Sequence, residues 1–219
     1  MKEIKVQQNS DEWMKLRCGK ITASNFDLLM KIPKDKKTSL IPGIQTFTDG
    51  QRTYLLSVAA EIMTGIWEES FTTKAMQQGH DREPFAREAL SNILDSPIRE
   101  SGFWEYSDYI GISPDGIGGF NEFTVELKCP MPKAHMLYLY DMEEFNKKYQ
   151  WQYKGQMWGT GIEHCYYGSF NPDFPDNKKM VYSGCDLSDS DKDLFDNRMG
   201  YAVEFIKKLI NEDPIEVNF

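Results

Sequence analysis

No stretch of this sequence is apolar over the roughly 18 residues that a membrane-spanning helix needs, so no membrane association is expected. The opening Met-Lys-Glu lacks the pattern of a secretory leader, and none is expected. Cysteine is scarce. Cys18, Cys129, Cys165 and Cys185 lie far apart with no Cys-x-x-Cys pair, which argues against structural zinc and leaves a reduced, cytoplasmic setting as the expectation. Positive charge is in deficit too. The formal net charge is −9, which at first speaks against a nucleic-acid partner. There is no internal repeat and no low-complexity segment, so repeat architectures and disordered tracts are excluded.

What is present fills a core. The chain has 219 residues, 40% of them hydrophobic and 13% aromatic, which fits one domain spanning 1–219. The charge is unevenly spread: residues 1–40 carry a net +4, and residues 171–219 a net −5. A basic region on an acidic body fits a localised phosphate-binding surface, and it fits an ordinary solvated face equally well. Residues 31–50, with Lys34, Lys36 and Lys37, read as a long basic loop inside the domain.

Spacing predicts the elements. Ser10 caps a helix carrying Trp13 and Leu16 inward, and another short helix holds Phe26 to Met30. Helices follow over Arg52 to Met63 and from Asp81 to Leu94, the latter with Pro84 in its first turn. Ile98 to Tyr106, Tyr109 to Ile112 and Phe123 to Cys129 read as a three-strand meander. Helices over Pro132 to Met142 and Tyr149 to Trp158 precede a strand at His164 to Phe170 and a weaker one at Lys179 to Tyr182. A long amphipathic helix closes the series from Ser188 to Ile210. The order indicates an α/β layered fold, a central mixed β-sheet flanked by helices.

One stretch carries the chemistry. From Phe123 to Cys129 apolar and polar residues alternate, predicting a half-buried strand with Thr124, Glu126 and Lys128 on one face. Upstream, Ser113-Pro114-Asp115-Gly116 has the composition of a tight turn with Asp115 at the bend. Alone, Asp115 reads as a turn residue and Glu126-x-Lys128 as part of a solvated strand. Together, two carboxylates and the Leu127 carbonyl supply the oxygen ligands of Mg²⁺, with Lys128 beside them to orient water or take its proton if the cation lowers its pKa.

These residues sit within a longer pattern. Glu12-Trp-Met-Lys-Leu-Arg-Cys-Gly-Lys-Ile-Thr-Ala-Ser24, Lys74 to Glu83, Ser113 to Gly116, Val125-Glu-Leu-Lys-Cys-Pro130, and Tyr149 to Gln152 with Met157-Trp158 follow one another in order. In this the chain resembles the PD-(D/E)xK nucleases, and more closely the phage lambda exonuclease and YqaJ-type viral recombinase family. The resemblance implies a restriction-endonuclease-like core. It implies Mg²⁺, with Mn²⁺ able to substitute, held by Asp115, Glu126, the Leu127 carbonyl and Glu83. Lys128 is then the catalytic lysine, and Gln152 lines the site. Arg17, Ser24 and Ser113 match positions that grip a terminal 5′-phosphate, and Met76 an apolar wedge that parts the end base pair. Ala134 stands where the family's prototype has an arginine, so Lys133 or His135 is expected to take that phosphate contact. The second polar residue of the family's Gln-x-Gln is here Lys154.

The implied activity is 5′-to-3′ digestion of one strand of double-stranded DNA to mononucleotides. It leaves a 3′ overhang for a single-strand DNA annealing protein in phage-type recombination. The implied assembly is a homotrimeric ring in the cytoplasm of a bacterial host, from a phage or prophage. An endonuclease on the same core and a non-catalytic DNA-end-binding module are the alternatives.

Overall fold

The computed structural model describes residues 1–31, 47–67 and 74–211, with the side chains of residues 74–76 excepted. Most of the expected basic loop and the side chain of Met76 therefore lie outside the described residues. In chain order the elements are β1 (Lys2–Ile4), α1 (Asp11–Arg17), β2 (Ile21–Thr22), α2 (Phe26–Leu29), α3 (Asp49–Thr64), α4 (Lys74–Leu94), β3 (Ile98–Arg99), β4 (Phe103–Ser107) and β5 (Ile110–Ile112). There follow β6 (Gly116–Gly118), β7 (Phe123–Lys128), α5 (Pro132–Tyr140), α6 (Met142–Thr160), β8 (His164–Phe170), β9 (Met180–Asp186) and α7 (Asp189–Asn211).

Capping chemistry sets several of these ends. Ser10 accepts from the Trp13 amide at 3.2 Å and starts α1. Thr48 and Gln51 form a reciprocal capping box at α3, which satisfies amides that the first turn leaves unpaired.

The fold is α/β with helices against mixed sheets, as expected, but the strands form two sheets rather than one central sheet. One has the order β1-β4-β5-β2 and the other β3-β6-β7-β8-β9. In the second, β7 runs parallel to β8 and antiparallel to β6, with Glu126 opposite Tyr167.

The expected meander does not form. The chain leaves the first sheet after β5 and enters the second at β6, so the Ser113–Pro114–Asp115 turn lies between sheets. The expected weak strand is a full one, β9, of seven residues. Helix α4 begins at Lys74, which places Pro84 in its interior rather than its first turn. The Gln77 side chain donates to Asp81 at 3.0 Å across that upstream turn.

Strand β7 is enclosed on both faces. Its apolar residues Phe123, Val125 and Leu127, with Cys129 just after it, pack with Ala86 and Leu90 of α4. The polar face, expected in water, is covered instead: Thr124 and Glu126 are both at 0% exposure. A carboxylate buried like this needs partners, because desolvation of an unpaired charge costs several kcal/mol.

Candidate active site

The partners of Glu126 come from two elements. Lys128, two residues along β7, pairs its ammonium with Glu126 Oε1. Gln156 of α6 donates from Nε2 to Glu126 Oε2 at 2.5 Å. Asp115 reaches the same place from the turn. Its amide donates to the Val125 carbonyl at 3.0 Å, and its Oδ2 accepts from the Leu127 amide at 2.7 Å. The amide and carbonyl of one strand residue project to the same edge, so the Leu127 carbonyl points to the Asp115 side of β7.

The turn itself is pinned. Arg87 of α4 donates to the Asp115 carbonyl at 3.1 Å, and Gln8 donates to the Pro114 carbonyl at 2.7 Å.

Glu83 of α4 adds to the negative field at the turn. Burial first, then the charges of Glu126 and Glu83, raise the Asp115 pKa well above its ordinary value. Glu83 also binds His80, whose Nδ1 lies 3.1 Å from Glu83 Oε1, and that hydrogen bond raises the His80 pKa. For Lys128, burial acts to lower the pKa, but Glu126 and then Asp115 outweigh it and hold the ammonium above its ordinary value. Without a cation the lysine is thus the counter-charge of the carboxylates, not a base.

Does this donor set suit a hard cation? Asp115, Glu126, Glu83 and the Leu127 carbonyl offer only oxygen, and Mg²⁺ needs just one or two carboxylates while keeping its waters. As the side chains stand, no three His, Cys, Asp or Glu residues among the described residues converge on one point. Lys128 holds an oxygen of Glu126 that an ion would need. The residues fit the ion, provided the ammonium gives up that oxygen.

A second group adjoins the first. The Arg17 guanidinium lies 4.1 Å from the centre of the Trp13 ring and donates to Thr22 Oγ1 at 3.4 Å. Thr22 Oγ1 is 3.1 Å from Ser24 Oγ, and Trp13 Nε1 donates to Ser113 Oγ at 2.9 Å. Arg17, Ser24 and Ser113 are therefore linked through Trp13 and Thr22, and Ser113 lies two residues from Asp115. Burial lowers the Arg17 pKa, with Tyr54 and Glu61 opposing it.

Other expected residues fare differently. His135 is fully buried, with Nδ1 2.8 Å from Ser169 Oγ and Nε2 2.8 Å from the Lys178 carbonyl. Both ring nitrogens are engaged, so it is not available to a phosphate. Lys133 is exposed at the start of α5. Gln152 is half-buried one turn before Gln156, and it is Gln156 that meets Glu126. The sequence reading missed Gln156, Trp13 as a polar link, Arg87 and His80. The signals present were the place of Gln156 on one helix face with Gln152, the glycines flanking it, and the i, i+3 spacing of His80 and Glu83.

With Asp115 and Glu126 buried and Lys128 beside them at the junction of a turn and a central strand, this mixed α/β fold resembles that of the PD-(D/E)xK nucleases. The model of the YqaJ-like viral recombinase domain matches residues 12–163, and the chain belongs to that family. No curated protein matches it in sequence.

Among solved structures it is similar to LHK-Exo, an alkaline exonuclease from Laribacter hongkongensis, at 23% identity over 92% of this chain and 94% of that one, with a TM-score of 0.77. The complex of LHK-Exo with dAMP gives a TM-score of 0.78. A phage-related exonuclease from Haemophilus somnus is similar at 16% identity over 87% of this chain and 95% of that one, with a TM-score of 0.72. Among the described residues no helix is long and apolar enough to cross a membrane.

Proposed function

We propose that this nuclease is a Mg²⁺-dependent exonuclease, with Mn²⁺ able to substitute, that digests the 5′-ended strand of double-stranded DNA to mononucleotides. One observation carries the reading. The buried Asp115–Glu126–Lys128 set lies two residues from Ser113, which Trp13 ties to the Arg17–Thr22–Ser24 group. A guanidinium fork with hydroxyls suits a terminal phosphate, and the chain would thus hold a strand end beside its hydrolytic site. That LHK-Exo forms a complex with dAMP, a mononucleotide, supports the product.

Asp115, Glu126, Glu83 and the Leu127 carbonyl would hold the ion, which supplies charge to stabilise the phosphorane-like transition state and the leaving oxygen. Lys128, released from Glu126, orients the attacking water and balances charge at the phosphate. Arg17, Ser24 and Ser113 fix the 5′-phosphate and so set which bond is cut. Gln152 lines the site, and exposed Lys133 takes the phosphate contact for which His135 is unavailable. The 3′ overhang would pass to a single-strand annealing protein. The working form would be a homotrimeric ring around the duplex in a bacterial cytoplasm, each subunit one domain.

The test is digestion of linear and covalently closed duplex with Mg²⁺ or EDTA. Loss of the linear form alone, and only with Mg²⁺, is the expected result. Cutting of the closed circle would replace the proposal with an endonuclease.

A further inference from the structure

Gln156 is the polar contact that α6 makes with the buried carboxylate, and two glycines bring it there. A Cβ at Gly155 would come within 2.0 Å of the Phe26 ring, and one at Gly159 within 2.4 Å of Ile112 Cγ1. Spaced one turn apart on one face, they let the helix backbone sit directly on these side chains, which a larger residue forbids. Gln156 between them is at 0% exposure and reaches Glu126 Oε2 at 2.5 Å. Its own Oε1 is buried without a hydrogen-bond partner. An orphaned buried acceptor is costly, so the donor contact on Glu126 must offset it. A neutral amide is also the suitable chemistry. It fixes one oxygen of Glu126 without cancelling the negative charge, and leaves the other for Lys128 or a cation.

We infer that Gln156 is the positioning residue that holds Glu126 in ligand geometry, setting how tightly the site takes a divalent cation. This rests on the metal-dependent reading above. Gln156→Met keeps the length and removes the donor, while Gln156→Asn keeps the neutral amide but draws it back from Glu126. Mn²⁺ binding to each protein without DNA is measured by calorimetry, with circular dichroism as the check on folding.

Loss of a hydrogen bond to a charged group should weaken Mn²⁺ binding by about ten-fold or more in Gln156→Met, and by a similar factor in Gln156→Asn. Activity of Gln156→Met should return towards wild type as Mn²⁺ is raised. Equal Mn²⁺ affinity in wild type and Gln156→Asn would overturn the inference. A wild type that binds no Mn²⁺ would instead overturn the metal-dependent reading. If Gln156→Met does not fold, the Gln156→Asn comparison decides alone.

Discussion

Replacing Lys128 with Met probes stability and chemistry together. In the metal-free protein its ammonium is the counter-charge of Glu126, which is at 0% side-chain exposure, while Lys128 itself is at 26%. Breaking a buried ion pair from one side costs about 3–5 kcal/mol. Because Lys128 keeps some contact with water, the lower end applies, about 3 kcal/mol. For a chain of this size that is a fall of about 6–12 °C in Tm. A divalent cation can take the ammonium's place between the carboxylates. Adding Mg²⁺ should therefore raise the Tm of the variant more than that of wild type, while turnover falls by about a hundred-fold or more. Thermal denaturation with Mg²⁺ or EDTA, followed by circular dichroism, reads both. An unchanged Tm in EDTA, or a Mg²⁺ response no larger than wild type's, would refute the account of Lys128 as counter-charge.

Arg17→Lys keeps the charge but loses the fork stacked on Trp13, so the preference for 5′-phosphorylated over 5′-hydroxyl duplex should shrink by about 10- to 100-fold in competition assays. His135 is held neutral by burial, with its pKa lowered. A lowered histidine pKa means stability present above the unfolded value of about 6.5 and lost as pH falls towards the folded one. Urea midpoints should thus drop between pH 7.5 and 5.5, less so in His135→Asn, and DNA affinity at pH 7.5 should not depend on this side chain. Gly155→Ala should lower stability by about 1–3 kcal/mol, read from urea denaturation, because its Cβ would overlap the Phe26 ring.

Strand β7 was legible because alternation is a local property: Phe123 to Lys128 form it as spaced. Its burial on both faces was not, since what covers Glu126 comes from α6, 30 residues away. Helical spacing put Gln152 and Gln156 on one face and could not choose between them. The glycines beside Gln156 were the clue, a mark of close approach rather than of helix end. The meander failed for a related reason, because periodicity predicts strands without saying which pair. His135 looked like a surface contact while its partners Ser169 and Lys178 lay far along the chain. Pro84 was read as a helix start because proline favours that position, yet α4 continues upstream of it. Arg17, Ser24 and Ser113 were expected to act together, but the Trp13 and Thr22 side chains that link them were not foreseen.

The central claim is that a metal-dependent carboxylate–lysine site acts at a 5′-phosphorylated DNA end. Its most direct test is digestion of linear duplex labelled on either the 5′- or 3′-ended strand, with 5′-phosphate or 5′-hydroxyl termini, in Mg²⁺. The account predicts early release of 5′-label as mononucleotide, faster from phosphorylated ends, with the 3′-ended strand left intact. Release of 3′-label first, or cleavage that persists in EDTA, would contradict it.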